Sequence, residues 1–238
     1  MKKKLFKLIK IFLLSIGAIL ILTIAILYFS LNEKLPEGKA GYGADLFALK
    51  IQQAVKHSAF KNTDYLQWSF RNKHHYIWDK SNESVEVKWD NYKVLLDLKR
   101  PDKSTVYEGD VKLEGNTQKI VEKALGYFNN DSFWLLAPYK LFDKGVVRKL
   151  VTAKDGTRSL LVTYKSGGTT PGDSYLWKVD EGYLPTSYKM WVSIIPIGGI
   201  EATWDGWITT DSGAYLAQKH RLLGFEIPIT NVKAWNKK

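Results

Sequence analysis

The segment Val85–Lys99, VEVKWDNYKVLLDLK, decides the fold class. Val85, Val87 and Trp89 alternate with Glu86, Lys88 and Asp90, and after Asn91 the scheme repeats: Tyr92, Val94, Leu96 and Leu98 stand against Lys93, Asp97 and Lys99. Successive side chains on a strand point to opposite faces, so this period of two predicts two strands, each with one buried and one wet face. The same period precedes them in Leu66, Trp68 and Phe70, which alternate with Gln67, Ser69 and Arg71. Val106 to Leu113 predicts one or two further short strands, broken at Gly109.

Strand signals resume further along, at 146–151, 160–165, 175–179, 187–194, 202–209, 215–222 and 224–232. Between them stand turn signals: Lys154-Asp155-Gly156, Gly167 to Gly172, Asp180-Glu181-Gly182 and Pro196 to Gly199. Two stretches keep helical spacing. In Ala44 to Ser58 the residues Phe47, Ile51 and Val55 form a stripe, with Asp45 as the expected cap. In Thr117 to Phe128 the residues Ile120, Val121, Ala124, Leu125 and Phe128 share a face, with Thr117 as cap. Asn129 to Asp143, with Pro138 in its middle, is expected to be irregular. A helix, a run of strands, one or two helices and a second run of strands make an α+β protein: a strongly curved antiparallel sheet, a half-barrel, wrapped around a few helices.

The N-terminus adds one element to this domain. Ile11 to Leu31 has 21 residues without a charge, 14 of them Leu, Ile or Phe, and Lys2, Lys3, Lys4, Lys7 and Lys10 precede it. As a helix the run would be about 31 Å long, enough to cross the hydrocarbon core. Its 14 large apolar residues favour insertion by about 4 to 8 kcal/mol. It is longer than a signal-peptide core, and Tyr28, Phe29, Ser30, Leu31 and Asn32 offer no small-residue cleavage site, so a retained anchor is expected. The lysine bias keeps residues 1–10 cytoplasmic, makes 11–31 the transmembrane anchor and 32–43 a Gly- and Pro-containing tether, and places 44–238 outside, in the periplasm or beyond. The expected location is the cytoplasmic (inner) membrane, with a single pass.

The formal charge of +11 falls to +6 once those five lysines are assigned to the cytoplasmic flank. Spread over a large domain without basic blocks, that charge gives no sign of nucleic acid as a partner. The absence of cysteine excludes disulfides, thiolate metal sites, a cysteine nucleophile and a lipidated cysteine. No cofactor motif is present, and no cofactor is expected.

The aromatic load is the unusual feature: all nine tryptophans lie beyond the tether. Large rings on the inner face of a bent sheet either fill a core or line an apolar cavity, and both readings are compatible. The candidate ligand-binding residues are Trp68, Phe70, Trp89, Trp177 and Trp204 from the strands, and Phe133 and Trp134 from the apolar stretch that follows Asn129-Asn130-Asp131-Ser132. That stretch reads as a lid over a cavity, or as a short helix capped by Asp131 and ending before Pro138.

In element order and aromatic content, Ala44 to Lys233 resembles the lipoprotein-localisation carriers of the LolA/LolB-like fold. The resemblance implies an open half-barrel that holds lipid chains under a helical lid. It carries no residue motif, so it assigns no role to any residue, and those relatives are soluble or lipid-anchored whereas this chain has a transmembrane tether.

Other chemistry is weakly signalled. Ser166 to Asp173 reads as a hairpin turn before it reads as an anion nest, with Asp173 at a turn or edge. His74 and His75 are neighbours on a strand and point to opposite faces, so no metal site is expected. For a glycosidase-like pair Asp131, Asp143, Asp173 and Asp205 are candidates only because they sit at loop edges, and no catalytic residue is assigned. The leading expectation is a tethered envelope domain that binds an apolar ligand, a lipid or a lipoprotein acyl chain, and touches membrane lipid through its N-terminal helix. The alternatives are an envelope hydrolase with an acidic pair, and a non-catalytic scaffold that binds a partner.

Overall fold

The computed structural model describes residues 2–237. Helix α1 (Lys2–Leu31) is followed by α2 (Tyr42–Ala54) and the short α3 (His57–Lys61). A meander comes next: β1 (Tyr65–Phe70), β2 (His74–Asp79), β3 (Ser84–Trp89), β4 (Tyr92–Asp97), β5 (Thr105–Glu108) and β6 (Val111–Lys112). Helix α4 (Gln118–Leu136) leads into a second run: β7 (Val146–Thr152), β8 (Arg158–Tyr164), β9 (Ser174–Val179), β10 (Pro185–Trp191), β11 (Ile200–Thr203), β12 (Asp205–Thr209), β13 (Tyr215–Leu222) and β14 (Phe225–Trp235).

The α+β expectation holds. All fourteen strands belong to one curved antiparallel sheet, and its edges do not meet to close a barrel. The order is β6-β5-β4-β3-β2-β1-β14-β13-β11-β10-β9-β8-β7, with β12 beside β13. The first and last strands of the domain, β1 and β14, pair in the middle and join the two meanders, with Leu66 opposite Ala234 and Phe70 opposite Ile229.

Three local expectations are corrected. The stretch Ala44 to Ser58 is two helices, because Lys56 takes a left-handed conformation (φ 55°) and breaks the first turn pattern. Asp45 does not cap it; Gly41 holds that position, and the Asp45 carboxylate accepts a hydrogen bond from Arg148 Nε at 2.7 Å instead. The stretch 202–209 is divided at Trp204, where the chain leaves β10 for β13. Gly206 permits the turn with φ 64°, and a Cβ there would sit 2.8 Å from Lys219 Cγ.

The largest correction concerns α4. It continues through Asn129–Ser132, expected to be irregular, and stops at Leu136, before the 3-10 turn Ala137–Tyr139 that contains Pro138. Polar residues that favour turns in isolation are kept helical here by tertiary bonds, above all those of Asp131. Because β6 and β7 are the two edges of the sheet, the connection between them must span its open side. At about 1.5 Å per residue, the 19 residues of α4 cover about 28 Å of that distance.

Two apolar clusters fill the concave side. In the first, Val121, Ala124, Phe128 and Leu135 of α4 pack on β1–β5. In the second, Phe47, Ala48 and Ile51 of α2 pack with β8–β11, and Phe133 and Trp134 of α4 reach it from the other side. Tyr139 pins the middle: its buried hydroxyl donates to Val55 O at 2.8 Å and contacts Tyr215 O, tying the end of α2 to β13. Tyr139→Phe keeps the ring and leaves those carbonyls without that donor, so urea denaturation is expected to show a loss of about 1–3 kcal/mol. An unchanged midpoint would contradict this role.

Candidate functional site

The structure brings the seven aromatic candidates to the concave side but divides them between the two clusters. Trp68, Phe70 and Trp89 stand in the first, Trp177 and Trp204 in the second; on α4, Phe133 flanks the second and Trp134 packs against both. The four strand residues and Trp204, between β11 and β12, are each no more than 5% exposed, and the two on α4 are half-buried. The rings interlock. Trp68 stacks on Tyr76 at 4.6 Å between centroids, and Trp78 meets Phe128 edge-on at 5.4 Å. On the other side Phe133 lies 4.7 Å from Tyr175, Tyr188 stands edge-on to Trp177 at 5.0 Å, and Trp177 stands edge-on to Trp204 at 5.1 Å. His220 closes this chain of rings, 4.6 Å from Trp204 and 5.8 Å from Trp134.

The polar edges of these rings are less well served than their faces. Nε1 of Trp68, Trp78, Trp89, Trp177 and Trp204 is buried without a hydrogen-bond acceptor, as are Tyr164 OH and His220 Nε2 without partners. A buried donor left unpaired costs about 1–3 kcal/mol, and edge-to-face contacts return only part of that. Phenylalanine would fill the same space without the cost. Burial raises the Tyr164, Tyr175 and Tyr188 hydroxyl pKa values, so all three stay neutral. Burial also lowers His220 to about 4, and its Nδ1 lies 3.0 Å from Thr203 O.

A carboxyl group is built into this interior beneath the sheet. Asp131, in the middle of α4, is 1% exposed. Its Oδ2 accepts the Tyr76 hydroxyl at 2.6 Å and lies 2.6 Å from His74 Nδ1, while Oδ1 accepts Asn130 Nδ2 at 2.9 Å. Burial first, and the Asp131 charge second, push the Tyr76 pKa upward, so the phenol keeps its proton and donates. His74 stacks on Tyr127 of α4 at 3.9 Å, so helix and strand grip each other twice at this point. The expectation of Asp131 as a helix cap is thereby overturned: it is an internal bond from α4 to β2.

This centre was missed for a definable reason. His74 pairs functionally with Tyr76, two residues along and on the same face, whereas the adjacent His75 turns outward to Ser69 Oγ at 2.8 Å. The signal was present on the helix: Ala124, Phe128, Asp131 and Leu135 follow one another at spacings of four, three and four, which puts the aspartate on the buried stripe.

The remaining acids stand apart. Asp143 is exposed and pairs with Lys140, and Asp205 is exposed at the start of β12. Asp173, expected at a turn or edge, is 5% exposed; it receives Thr170 Oγ1 at 2.5 Å and Ser193 N at 2.9 Å. It braces two loops, those after β8 and β10. Asp131, Asp143 and Asp173 thus have three different sets of partners, and no two of them are joined through a shared one.

No protein-family model and no curated protein matches the sequence. Among solved structures, the chain is similar to a DUF1329 family protein from Desulfovibrio piger. The two are 13% identical with a TM-score of 0.43, over 80% of this chain and 92% of that one. The functional reading therefore rests on the residues of this chain.

His220 gives the interior a pH signature. Its pKa is about 4 when folded and 6.5 as the reference value, so between those limits the unfolded chain binds the proton and the folded one does not. Stability is expected to fall as pH drops through that window, by about 3 kcal/mol in full. Urea melts of the protein and of His220→Gln at pH 7, 5.5 and 4.5 check this: the variant loses that part of the slope, and parallel curves would contradict it.

Proposed function

We propose that the chain is a single-pass membrane-anchored envelope domain that binds an apolar ligand, a lipid or a lipoprotein acyl chain, among the aromatic rings under its curved sheet. In this reading residues 1–10 are cytoplasmic, 11–31 span the membrane, 32–43 are the tether, and 44–238 are exported to the periplasmic or outer side. The anchor reading is supported by Ile9–Leu31, 23 residues long and apolar enough to cross a membrane, with none of its window buried against the rest of the protein.

The observation that carries the ligand reading is the set of five buried indole N–H groups without acceptors, distributed on both sides of α4. Tryptophan combines a greasy face with a donor edge. Such a lining suits a guest with a hydrocarbon chain and an ester or carboxylate oxygen. Since the rings interlock, a guest enters only where α4 yields, and Phe133 and Trp134 move with it. A second reading, a tethered scaffold with a filled core, draws on the same interlocking, above all Trp177, Tyr188 and Trp204.

Uptake of a fluorescent fatty acid by the delipidated full-length protein in detergent separates the two. The ligand reading expects saturable binding of about one molecule per chain, with energy transfer from tryptophan. Trp177→Leu and Trp204→Leu are expected to weaken it tenfold or more, and Trp235→Leu to leave it unchanged. No uptake, or uptake indifferent to both inner variants, overturns the ligand reading in favour of the scaffold.

A further inference from the structure

We propose that one rim of the sheet lies flat on the bilayer surface. Ile194 and the hairpin tip Leu223–Phe225 enter the lipid, while Arg71, Lys73 and Lys165 rest on anionic headgroups. The inference builds on the membrane-anchor reading of α1 and adds the orientation of the exported domain.

The starting point is where the apolar helix hands over to the domain. Immediately after Leu31, Asn32 Oδ1 accepts Gly198 N at 2.8 Å, Glu33 N donates to Gly198 O at 2.9 Å, and Trp191 Nε1 donates to Glu33 O at 2.7 Å. Lys189 Nζ closes the junction on the Glu33 carboxylate at 2.5 and 2.7 Å. The helix end is therefore fastened to the loop between β10 and β11, and that loop cannot stand far from the membrane surface.

The strand register then shows which other turns share this end. Met190 pairs with Ile200, so loop 192–199 caps the β10–β11 end. Ala202 pairs with Leu222, which puts the β13–β14 turn at the same end. Arg71 N donates to Pro228 O at 2.8 Å, bringing in the β1–β2 turn with Arg71 and Lys73. Ser174 pairs with Trp191 and with Thr163, which adds the β8–β9 turn that begins at Lys165.

The composition of this rim is unlike that of the opposite one. Ile194 is 72% exposed, Leu223 64% and Phe225 77%; Arg71, Lys73 and Lys165 are exposed at this end, as are Glu226 beside the hairpin tip and, on the far β3–β6 part of the rim, Asp90, Glu108 and Asp110. At the other end the turns 80–83, 98–104, 153–157, 180–184 and 210–214 expose no large apolar side chain and carry charges of both signs, among them Lys99, Lys103, Lys154, Asp155, Glu181 and Asp211. The hairpin tip adds an independent sign. Leu222 pairs with Phe225, so Leu223 and Gly224 form a two-residue turn with φ 50° and 83°. Such a turn favours Asn-Gly, and leucine in the left-handed region meets a steric penalty. An exposed Leu223 recovers nothing for that from the folded domain. In lipid it buries its side chain, as do Ile194 and Phe225, and cations at headgroup level are attracted to an anionic leaflet.

The test uses the cysteine-free full chain in vesicles of phosphatidylcholine and phosphatidylglycerol. Single variants Ile194→Cys, Phe225→Cys, Asp211→Cys and Ile19→Cys are labelled with an environment-sensitive dye and quenched by nitroxide lipids. Labels at 194 and 225 are expected to be blue-shifted and quenched like the label at 19, and the label at 211 to remain as in water. If 19 is quenched while 194 and 225 behave like 211, the anchor stands and the rim proposal is overturned. If 19 is not quenched, the anchor reading fails and the proposal with it. Vesicles of phosphatidylcholine alone, or Arg71→Glu with Lys73→Glu, are expected to lower quenching at 225 at least twofold; no change overturns the role of the cations.

Discussion

β6 and β7 are separated only by α4 and its flanking turns, yet they stand at opposite edges of one sheet, so the chain between them has to cross the open side. This constraint fixes the rest. A sheet of this breadth bends to cover the helix, the helix divides the concave side into two apolar clusters, and each cluster is closed by rings from its own set of strands, β1–β3 for one and β9–β10 for the other. Asp131 is where the crossing is fastened: a carboxylate that burial would make costly by several kcal/mol is repaid through Tyr76 and His74, both on β2. The bond is specific as well as strong, because only one register of α4 against β2 satisfies it.

The same arrangement explains why the aromatic interior is both dense and polar at its edges. Edge-to-face packing among Tyr175, Tyr188, Trp177 and Trp204 fills space well, but it does not supply the buried indole N–H groups with full hydrogen bonds. His220 stays neutral in that setting and accepts the company of two indoles without a charge. Outside the sheet, Gly38 and Lys39 cover the otherwise open edge of β7. Lys39 exchanges both backbone bonds with Leu150, and a Cβ at Gly38 would lie 3.0 Å from Leu150 O, so the segment before α2 acts as an edge guard.

Much of this fold was legible in the sequence because alternation is a local property. Val85–Leu98 and Leu66–Phe70 form strands within a residue of their expected bounds, and the apolar stripe of α2 faces the core as expected. What the sequence could not show is non-local. The strand order follows from β1 meeting β14, a pairing of residues more than 150 apart in the chain. The continuation of α4 through Asn129–Ser132 depends on partners 55 and 57 residues from Asp131. Local propensity reads those four residues as a break, and tertiary bonding outweighs it. The aromatic candidates were visible by type and alternation, but their division into two clusters depends on where α4 lies.

In the ligand reading α4 is a strap, held at the polar point Asp131, that yields without the sheet unfolding. Hydrogen exchange of the full-length protein, resolved by mass spectrometry, measures this directly. The expected result is that α4 amides exchange through an opening of lower free energy than those of β1, β13 and β14, and that Asp131→Ala lowers it further while the strands keep their protection. Protection of α4 equal to that of the central strands, unaffected by Asp131→Ala until the whole domain unfolds, would contradict the account.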